Sequence, residues 1–508
     1  MRGSRIIIYC LLIVFLITPS VHSRAAPDTH IILLMDASGS MKKTDPRNLR
    51  LDAGELFVRL LDDSFALSIL SFHSEVTMLA HKKNPVKDRN RLIKKIRSIG
   101  SYGLHTDLYS ALRSGIEEAT EFNGKNIIIL LSDGKMDTGD TSRDAEKRRL
   151  IKEELLPLAK SRNIPVYTIA FSELSDKELL REIAIKTSAI PFMVKSASEI
   201  HRVFTRIFNE IKQPDSLPVR NREFLVDSSI KDINIVVTKQ APGREIVLED
   251  PFGKRYTYLK HPAFMRWFST TRFEMIGMEK PEPGRWKIHY SAREGNQVFI
   301  LTDLKLKVNK IENIYYLGEQ LYIETWLEEK GQRLDNIPIL LRNIEFSAIL
   351  NTDSRLKKEI TLRDDGVAPD RIKEDGIYTE VVKMDEEGDF LLRIVARGKT
   401  FERKIEKLFT VRKRQPPETG KDTRTGKTVS HKDISKKPPE GSNTREDPLQ
   451  DGMSWKWVII KFIITNMVIF GIAGGIFFIK KKRGLSVTTL YSRISTLRSL
   501  LKRRKNED

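Results

Sequence analysis

Three oxygen-bearing side chains occur at alternate positions directly after a short apolar run near the N-terminus. The run is Ile31–Met35, and Asp36, Ser38 and Ser40 follow it. The run predicts a buried strand, and a turn leaving that strand can direct all three side chains toward one point. Hard oxygen ligands of this kind suit Mg²⁺ or Mn²⁺. The segment therefore predicts a cation site at the edge of a sheet.

Two later segments supply further oxygen ligands for the same site. A glycine-punctuated loop places the hydroxyl of Thr106 just before a predicted helix, and a second apolar run ends at Asp133. The carboxyl ends of parallel strands form the ligand-binding edge of a doubly wound sheet, so we expect Asp133 near Asp36. Three other acidic residues lie outside this pattern and are predicted to face solvent: Asp107, Asp137 and Asp140.

The full pattern is Asp-x-Ser-x-Ser, then a distant Thr, then a distant Asp. It resembles the metal-ion-dependent adhesion site of the von Willebrand factor A domain. The resemblance implies that Ser38, Ser40 and Thr106 coordinate Mg²⁺ directly. It also implies that Asp36 and Asp133 contact the ion directly or through water. A protein ligand offering an Asp or Glu carboxylate would then fill the remaining position.

The rest of residues 27–214 agrees with such a domain. Apolar runs such as Phe65–Phe72 and Pro165–Phe171 alternate with amphipathic runs such as Arg50–Leu61 and Arg143–Lys160. This alternation predicts an α/β, doubly wound, Rossmann-like domain in which ligands bind beyond the carboxyl ends of the strands.

The chain becomes β-rich after this domain. Short β-rich runs separated by turn signals predict two β-sandwich domains of the immunoglobulin-like type, at 219–308 and 309–411. An acidic loop in the second sandwich has two interpretations. One is a Ca²⁺ site at Asp365, Asp370 and Asp375. The other is a pair of Asp-Gly turns whose side chains bond to their own backbone.

Two apolar segments predict export and a membrane anchor. Residues 1–26 have the basic, apolar and small-residue regions of a signal peptide. Residues 458–479 are long enough for a transmembrane helix, which needs about 20 residues. The polar stretch 412–454 predicts a disordered linker. Gly471 and Gly475 form a Gly-x-x-x-Gly pair, which is typical of helix dimers but is also explained by the high frequency of glycine in membrane helices.

The distribution of charge argues against a nucleic-acid partner. The formal net charge is +20, but residues 480–508 carry ten Lys or Arg and only two acidic residues. No nucleic-acid-binding motif accompanies the remaining charge. The positive-inside rule makes this segment a basic cytoplasmic tail, which we expect to contact membrane lipid.

The expected location follows from these segments and from two absences. The sole cysteine, Cys10, lies inside the predicted signal peptide, and the chain has no Asn-x-Ser/Thr sequence. Exported eukaryotic domains of this size usually carry disulfides. The sequence thus favours a single-pass protein of a bacterial cell envelope, with its N-terminal ectodomain outside the cytoplasm.

We expect binding rather than catalysis. The sequence has no catalytic triad, no paired catalytic carboxylates and no zinc-protease motif. His105 is the one candidate base near the predicted metal ligands, and we favour its interpretation as an ordinary loop histidine. The leading prediction is an adhesion or receptor protein with a Mg²⁺-dependent site. The alternatives are an assembly or regulatory subunit of an envelope membrane complex and, third, a hydrolase.

Overall fold

The computed structural model describes residues 27–172, 175–194, 197–334, 344–352 and 355–414. No helix within these ranges has the length and apolar character needed to cross a bilayer. Several predictions lie outside the described residues: the signal peptide at 1–26, the linker beyond Arg414, the transmembrane helix at 458–479 with Gly471 and Gly475, and the tail at 480–508.

The N-terminal part is a six-stranded sheet with helices on both faces. Its strands are β1 Thr29–Asp36, β2 Phe65–Phe72, β3 Val76–Lys83, β4 Lys125–Ser132, β5 Val166–Ala170 and β6 Pro191–Met193. Its α-helices are α1 Met41–Thr44, α2 Leu49–Leu60, α3 Arg89–Arg97, α4 Leu108–Thr120, α5 Thr141–Leu150, α6 Leu156–Ser161, α7 Lys177–Lys186 and α8 Ile200–Lys212. A π-helical turn, Ile151–Leu155, joins α5 to α6, and a 3₁₀ turn, Ala197–Glu199, precedes α8.

The strand order is β3-β2-β1-β4-β5-β6, with β3 antiparallel and the other pairs parallel. All eight residues of the central strand β1 are buried. Ile31 and Leu33 belong to one hydrophobic core, together with Phe57 of α2, while Ile32 belongs to a second core with Leu112 of α4. Burial on both faces explains why the strand reads as a continuous apolar run. The predicted doubly wound α/β domain is confirmed.

The remaining chain is β-rich, as predicted, while its immunoglobulin-like type stays a prediction. Its strands are β7 Ser216–Leu217, β8 Glu223–Val226, β9 Ile230–Thr238, β10 Val247–Glu249, β11 Arg255–Tyr256, β12 Arg266–Ser269, β13 Phe273–Glu279, β14 Gly284–His289, β15 Gln297–Thr302, β16 Leu304–Val308, β17 Ile314–Tyr316, β18 Gln320–Glu329, β19 Gln332–Arg333, β20 Glu345–Thr352, β21 Arg355–Thr361, β22 Tyr378–Lys383, β23 Gly388–Arg397 and β24 Glu402–Arg412.

One ten-stranded sheet runs through most of this region. Its order is β12-β13-β9-β15-β7-β24-β23-β20-β21, and β17 pairs with β24. The two-residue strand β7 joins its halves, because Ser216 pairs with Lys404 of β24 and donates its hydroxyl to the Lys404 carbonyl at 2.7 Å. Beside this joint, the buried guanidinium of Arg403 lies 2.6 Å from the Asp227 carboxylate. The sheet therefore continues across position 309, where the sequence suggests a domain boundary.

Helix α8 packs the first domain against this sheet. The rings of His201 and Phe273 stack with centroids 4.9 Å apart, and His201 Nε2 lies 3.0 Å from Thr238 Oγ1. At the other end of the helix, Glu210 accepts a 2.8 Å hydrogen bond from the Leu408 N–H. Burial raises the pKa of Glu210 to about 7. The described residues between 27 and 414 therefore belong to one compact unit.

Candidate metal centre

Two fully buried carboxylates meet at the carboxyl edge of the parallel sheet. Asp36 is the last residue of β1, and Asp133 directly follows β4. These strands are neighbours in register, with Met35 opposite Leu131. The sequence prediction that both acidic residues reach one edge of the sheet therefore agrees with the observed topology.

Asp36 is held by one hydrogen bond on each carboxylate oxygen. Its Oδ1 accepts from the Ser38 N–H at 2.8 Å, and its Oδ2 accepts from the Ser132 hydroxyl at 2.7 Å. The two bonds fix the carboxylate plane relative to both strands. Sequence reasoning missed Ser132. Its position immediately before Asp133, at the end of a buried strand, was the available signal.

A chain of hydroxyl groups connects the first segment to Asp133. The Ser38 and Ser40 hydroxyls lie 2.9 Å apart, and Ser40 donates to Asp133 Oδ1 at 2.8 Å. The hydroxyl of Thr44 donates to the other oxygen, Asp133 Oδ2. Thr44 was not predicted, although residues four apart on a helix share a face, which places it beside Ser40.

The loop at 98–107 brings Thr106 to the same edge. Thr106 and Asp137 exchange backbone hydrogen bonds of 2.9 and 3.0 Å. A Cβ atom added to Gly134 would lie only 3.0 Å from Thr106 Oγ1, so this hydroxyl rests against the backbone that follows Asp133. The Gly39 N–H also donates to the Gly103 carbonyl at 2.7 Å. All five predicted ligands are thus brought together.

The electrostatics of this edge favour a bound cation. Burial, followed by the charge of Asp133, raises the pKa of Asp36 to about 6. Burial also raises the pKa of Asp133, although the hydrogen bonds from Thr44 and Ser40 act to lower it. Neither carboxylate forms an ion pair with any residue that the structure describes. Two buried carboxylates without an ion-pair partner among the described residues are costly, and hydroxyl and carboxylate oxygens form a donor set that fits Mg²⁺ or Mn²⁺.

Arg50 holds the pieces of the site in place. Its guanidinium is fully buried and donates to Asp45 Oδ2 at 3.0 Å. The same group donates to the Gly100 carbonyl at 2.8 Å and to the Ser101 hydroxyl at 2.9 Å. It therefore ties the turn between α1 and α2 to the loop that carries Thr106. Its charge partly offsets the rise in the pKa of Asp133 that burial causes.

The acidic residues outside the pattern divide into two kinds. Asp137 and Asp140 are exposed, as predicted. Asp107 is buried, and the prediction that it faces solvent is wrong. It caps α4 by accepting from the Ser110 N–H at 3.1 Å, and the Lys147 ammonium group pairs with it. This cation comes from α5, so no local sequence signal revealed the burial.

The candidate base His105 points toward Asp137. Its Nδ1 lies 3.4 Å from Asp137 Oδ1, and its ring packs against Gly139, where an added Cβ would come within 2.9 Å of His105 Cε1. The structure records no hydrogen bond from His105 Nδ1 to any described group. This geometry is that of a loop histidine.

In the acidic loop of the β-rich region, the structure gathers a different trio from the predicted one. Carboxylate oxygens of Asp364, Asp370 and Asp375 lie within 4.8 Å of one another. Asp365 is exposed instead and accepts from the Val367 N–H at 2.9 Å. Asp364 and Asp370 also accept backbone N–H groups of the loop. These bonds match the turn interpretation, and the Ca²⁺ site stays a prediction.

Comparison with models of known families supports the predicted identity of the first domain. Residues 30–206 match the family model of the von Willebrand factor type A domain, and residues 210–301 match a model described as hemicentin galactose-binding domain-like. Residues 30–206 therefore form a von Willebrand factor type A domain, as the sequence predicts.

Similar curated proteins come from animals. Calcium-activated chloride channel regulator 2 of Homo sapiens is 26% identical over 390 residues, a match that covers 70% of this chain and 39% of that protein. Regulator 3A-1 of Mus musculus is 22% identical over 378 residues, covering 69% and 40%. Regulator 1 of Bos taurus is 22% identical over 384 residues, also covering 69% and 40%. The chain thus spans about two fifths of the length of these relatives.

Solved structures with similarity include a von Willebrand factor type A protein from Catenulispora acidiphila. It has a TM-score of 0.31 and 12% identity, and the match covers 61% of this chain and 64% of that one. The vWF domain of the type V pili tip protein Mfa5 from Porphyromonas gingivalis has a TM-score of 0.28 and 14% identity, covering 36% and 95%.

The predicted location, a bacterial cell envelope with a single membrane span, is wrong. The curated relatives are animal proteins named as calcium-activated chloride channel regulators. The prediction relied on the absence of a cysteine pair and of Asn-x-Ser/Thr sequences. Both are features of composition, which do not determine the kind of organism that a chain comes from.

Proposed function

We propose that the von Willebrand factor type A domain of this chain binds a protein partner through a divalent cation, Mg²⁺ or Mn²⁺. Ser38, Ser40 and Thr106 would hold the ion, with Asp36 and Asp133 contacting it directly or through water. When bound, the ion would supply an electrophilic centre for a carboxylate oxygen from an Asp or Glu of the partner. Binding rather than catalysis is the activity we assign to the domain.

The observation that carries this proposal is the pair of buried carboxylates, for which the described residues provide no ion-pair partner. Asp36 and Asp133 each keep their oxygens hydrogen-bonded to hydroxyl or amide donors at the same sheet edge. The chain's own residues therefore hold in place the side chains that we propose as ligands. Three of the five ligands are neutral hydroxyls, which leaves a bound divalent ion able to attract a further carboxylate.

Exposed apolar side chains beside this edge support a protein as the partner. Tyr102 is 69% exposed and Leu104 is 86% exposed, and both lie in the loop that carries Thr106. Apolar side chains held in solvent next to a polar centre are typical of protein-binding surfaces. A partner that offers one acidic side chain within an apolar surface would match both features.

The experiment compares partner capture by the purified full chain in Mg²⁺ and in chelator. Proteins from animal tissue are captured on the wild-type chain, on Asp36→Ala and on Asp137→Ala. Asp137 is a matched control because it lies at the same edge but is exposed and outside the ligand set. We expect partners that bind the wild type and Asp137→Ala only in Mg²⁺ and do not bind Asp36→Ala. Capture that is independent of both Mg²⁺ and Asp36 would contradict the proposal.

A second candidate function is regulation of a membrane protein complex, and specifically of a chloride channel. The names of the curated relatives favour it. In this case the metal site would bind the channel or a protein attached to it. The two candidates differ in readout, since a regulator changes chloride current when it is added to cells and a pure adhesion protein does not. Currents recorded with wild type and Asp36→Ala, in Mg²⁺, would separate them.

A further inference from the structure

A second cluster of metal-binding side chains lies away from the carboxyl edge, between the edge strand β3 and the end of α4. It consists of His81, Glu118 and Glu121, and one ligand atom from each lies within 4.8 Å of the other two. Ser68, which contacts this cluster, is level with Ile32 in the parallel register of β1 and β2. Ile32 and Asp36 are four positions apart along β1, a distance of about 13 Å. The cluster is therefore separate from the first site.

Glu118 is the fixed part of the cluster. It is buried, and its Oε1 accepts a 2.6 Å hydrogen bond from the Ser68 hydroxyl. His81 Nδ1 lies 3.0 Å from that same Oε1 and 3.1 Å from Oε2. A carboxylate that a hydroxyl holds in place, and whose two oxygens both face an imidazole nitrogen, has the arrangement of a metal ligand oriented by a neighbouring hydrogen bond.

The charge of Glu118 lacks a permanent partner. Within the described ranges, the basic groups at ion-pair distance from it are His81 Nδ1 at 3.0 Å and His30 Nε2 at 3.7 Å. Both are histidines, and neither Lys nor Arg reaches this carboxylate. A buried carboxylate is stable when paired with a cation or coordinated to a metal. Glu118 can therefore coordinate a metal ion on the side that faces His81 and Glu121.

The two outer ligands can move onto an ion without disturbing the core. The His81 side chain is 53% exposed and that of Glu121 is 62% exposed. Glu118 and Glu121 lie three residues apart at the end of α4, so they share one face of the helix. An imidazole nitrogen with carboxylate oxygens, and an open position toward solvent, matches the ligand preferences of Zn²⁺.

We propose that His81, Glu118 and Glu121 bind a zinc-type transition-metal ion on the flank of the domain. Two carboxylates and one neutral imidazole balance the double positive charge of such an ion. Preference over Mg²⁺ follows from the nitrogen ligand, because Mg²⁺ favours oxygen donors in a full octahedral shell.

The ammonium group of Lys82 lies beside this position. Its ammonium group lies 3.0 Å from Glu121 Oε2 and 3.2 Å from the Glu121 carbonyl oxygen. Lys82 has a positive φ of 44° and faces Ser68 at a bulge between β2 and β3, where its N–H donates to the Ser68 hydroxyl at 2.8 Å. The bulge lets the side chains of both His81 and Lys82 reach the carboxylates of Glu118 and Glu121. A bound metal ion has to displace this ammonium group.

The test measures Zn²⁺ binding to the full chain by titration calorimetry in excess Mg²⁺. An Asp36→Ala background removes Zn²⁺ binding at the carboxyl edge. The exposed ligands are changed singly, as His81→Ala and Glu121→Gln, because loss of the buried Glu118 threatens folding. Lys82→Met is the variant that we expect to change the Zn²⁺ affinity in the opposite direction. Circular dichroism confirms the fold of each protein.

We expect the background protein to bind one Zn²⁺ per chain. His81→Ala and Glu121→Gln should each weaken that affinity by about 10-fold or more, as ligand-shell changes do. Lys82→Met should strengthen the affinity, because the competing ammonium group is gone. Equal Zn²⁺ affinity in the background protein and in His81→Ala would overturn the proposal and identify an adventitious ion only. A background protein that binds no Zn²⁺ would overturn it as well.

Discussion

The guanidinium of Arg50 lies 3.0 Å from the carboxylate of Asp45, and neither side chain is exposed to solvent. The pair closes the turn between α1 and α2, where Asp45 also accepts from the Leu49 N–H at 2.7 Å. Because Arg50 also donates to Gly100 and Ser101, the same ion pair fixes the loop that carries Thr106. Stability and the geometry of the metal centre thus depend on one buried arginine.

We predict that Arg50→Ala lowers the free energy of unfolding by about 3–5 kcal/mol, since it leaves the Asp45 carboxylate buried without a partner. Denaturant unfolding measures this loss. Arg59→Ala is the control, because Arg59 pairs with Glu55 from a partly exposed position on the same helix. Its effect should be much smaller. Equal losses for the two variants would mean that Arg50 contributes only ordinary packing.

Mg²⁺ should stabilise the wild-type chain and leave Asp36→Asn unchanged. An ion that binds only the folded state adds about 2.7 kcal/mol at one hundred times its Kd. In chelator, Asp36→Asn should be at least as stable as the wild type, because it removes one of two buried carboxylates that repel each other. Thermal unfolding with and without Mg²⁺ tests both statements. A similar Mg²⁺ shift in the two proteins would place the ion elsewhere.

Gly134→Ala should weaken Mg²⁺ binding with little loss of stability. The new Cβ would meet Thr106 Oγ1 at 3.0 Å and displace a predicted ligand hydroxyl. We expect a loss in affinity of about 10-fold. A double-mutant cycle with Thr106→Ala gives the control, because the clash disappears once the hydroxyl is absent. Independent, additive losses from the two changes would show that Gly134 acts by another route.

Acid should weaken the contact between α8 and the ten-stranded sheet. Burial lowers the pKa of His201 to about 3, from the usual value of about 6.5. The unfolded chain therefore binds a proton near pH 6.5 that the folded chain does not bind until about pH 3. The resulting stability is present above pH 6.5. It is lost as pH falls through this window, by at most about 1.4 kcal/mol per pH unit.

His201→Phe keeps the stacking against Phe273 and removes the titrating group. The unfolding free energy of this variant should fall less steeply between pH 6.5 and 3 than that of the wild type. Burial also lowers the pKa of His30, to about 4. His30 contributes equally to both curves, so their difference isolates His201. Parallel curves would contradict the assignment.

The sequence predicts the first domain and its carboxyl edge well, for a physical reason. Asp36 and Asp133 end apolar strands that are buried on both faces, and parallel strands align their ends. Local sequence thus determines where both side chains lie. Thr106 is less constrained by local pattern, since a loop carries it, and only the motif as a whole identifies it.

Long-range contacts account for what the sequence did not reveal. Asp107 is buried because Lys147, forty residues later, neutralises it. Arg50 gains its role from a loop fifty residues away. Strand β7 has only two residues and therefore no periodicity to detect, yet it joins strands from both predicted sandwiches. His81 and Glu118 likewise meet only after β3 folds back beside α4.

Strand β24 has a mechanical consequence. It pairs with β23 on one side, and on the other it meets β7 at Ser216 and runs parallel to β17. Strand β7 begins just after α8 ends at Lys212. A force applied at Arg414 would therefore act in shear on the hydrogen bonds between β24 and its neighbours. It would reach α8 through β7 without first unfolding the other strands of the sheet. The von Willebrand factor type A domain is thereby coupled to any pulling force on the far end of the described chain.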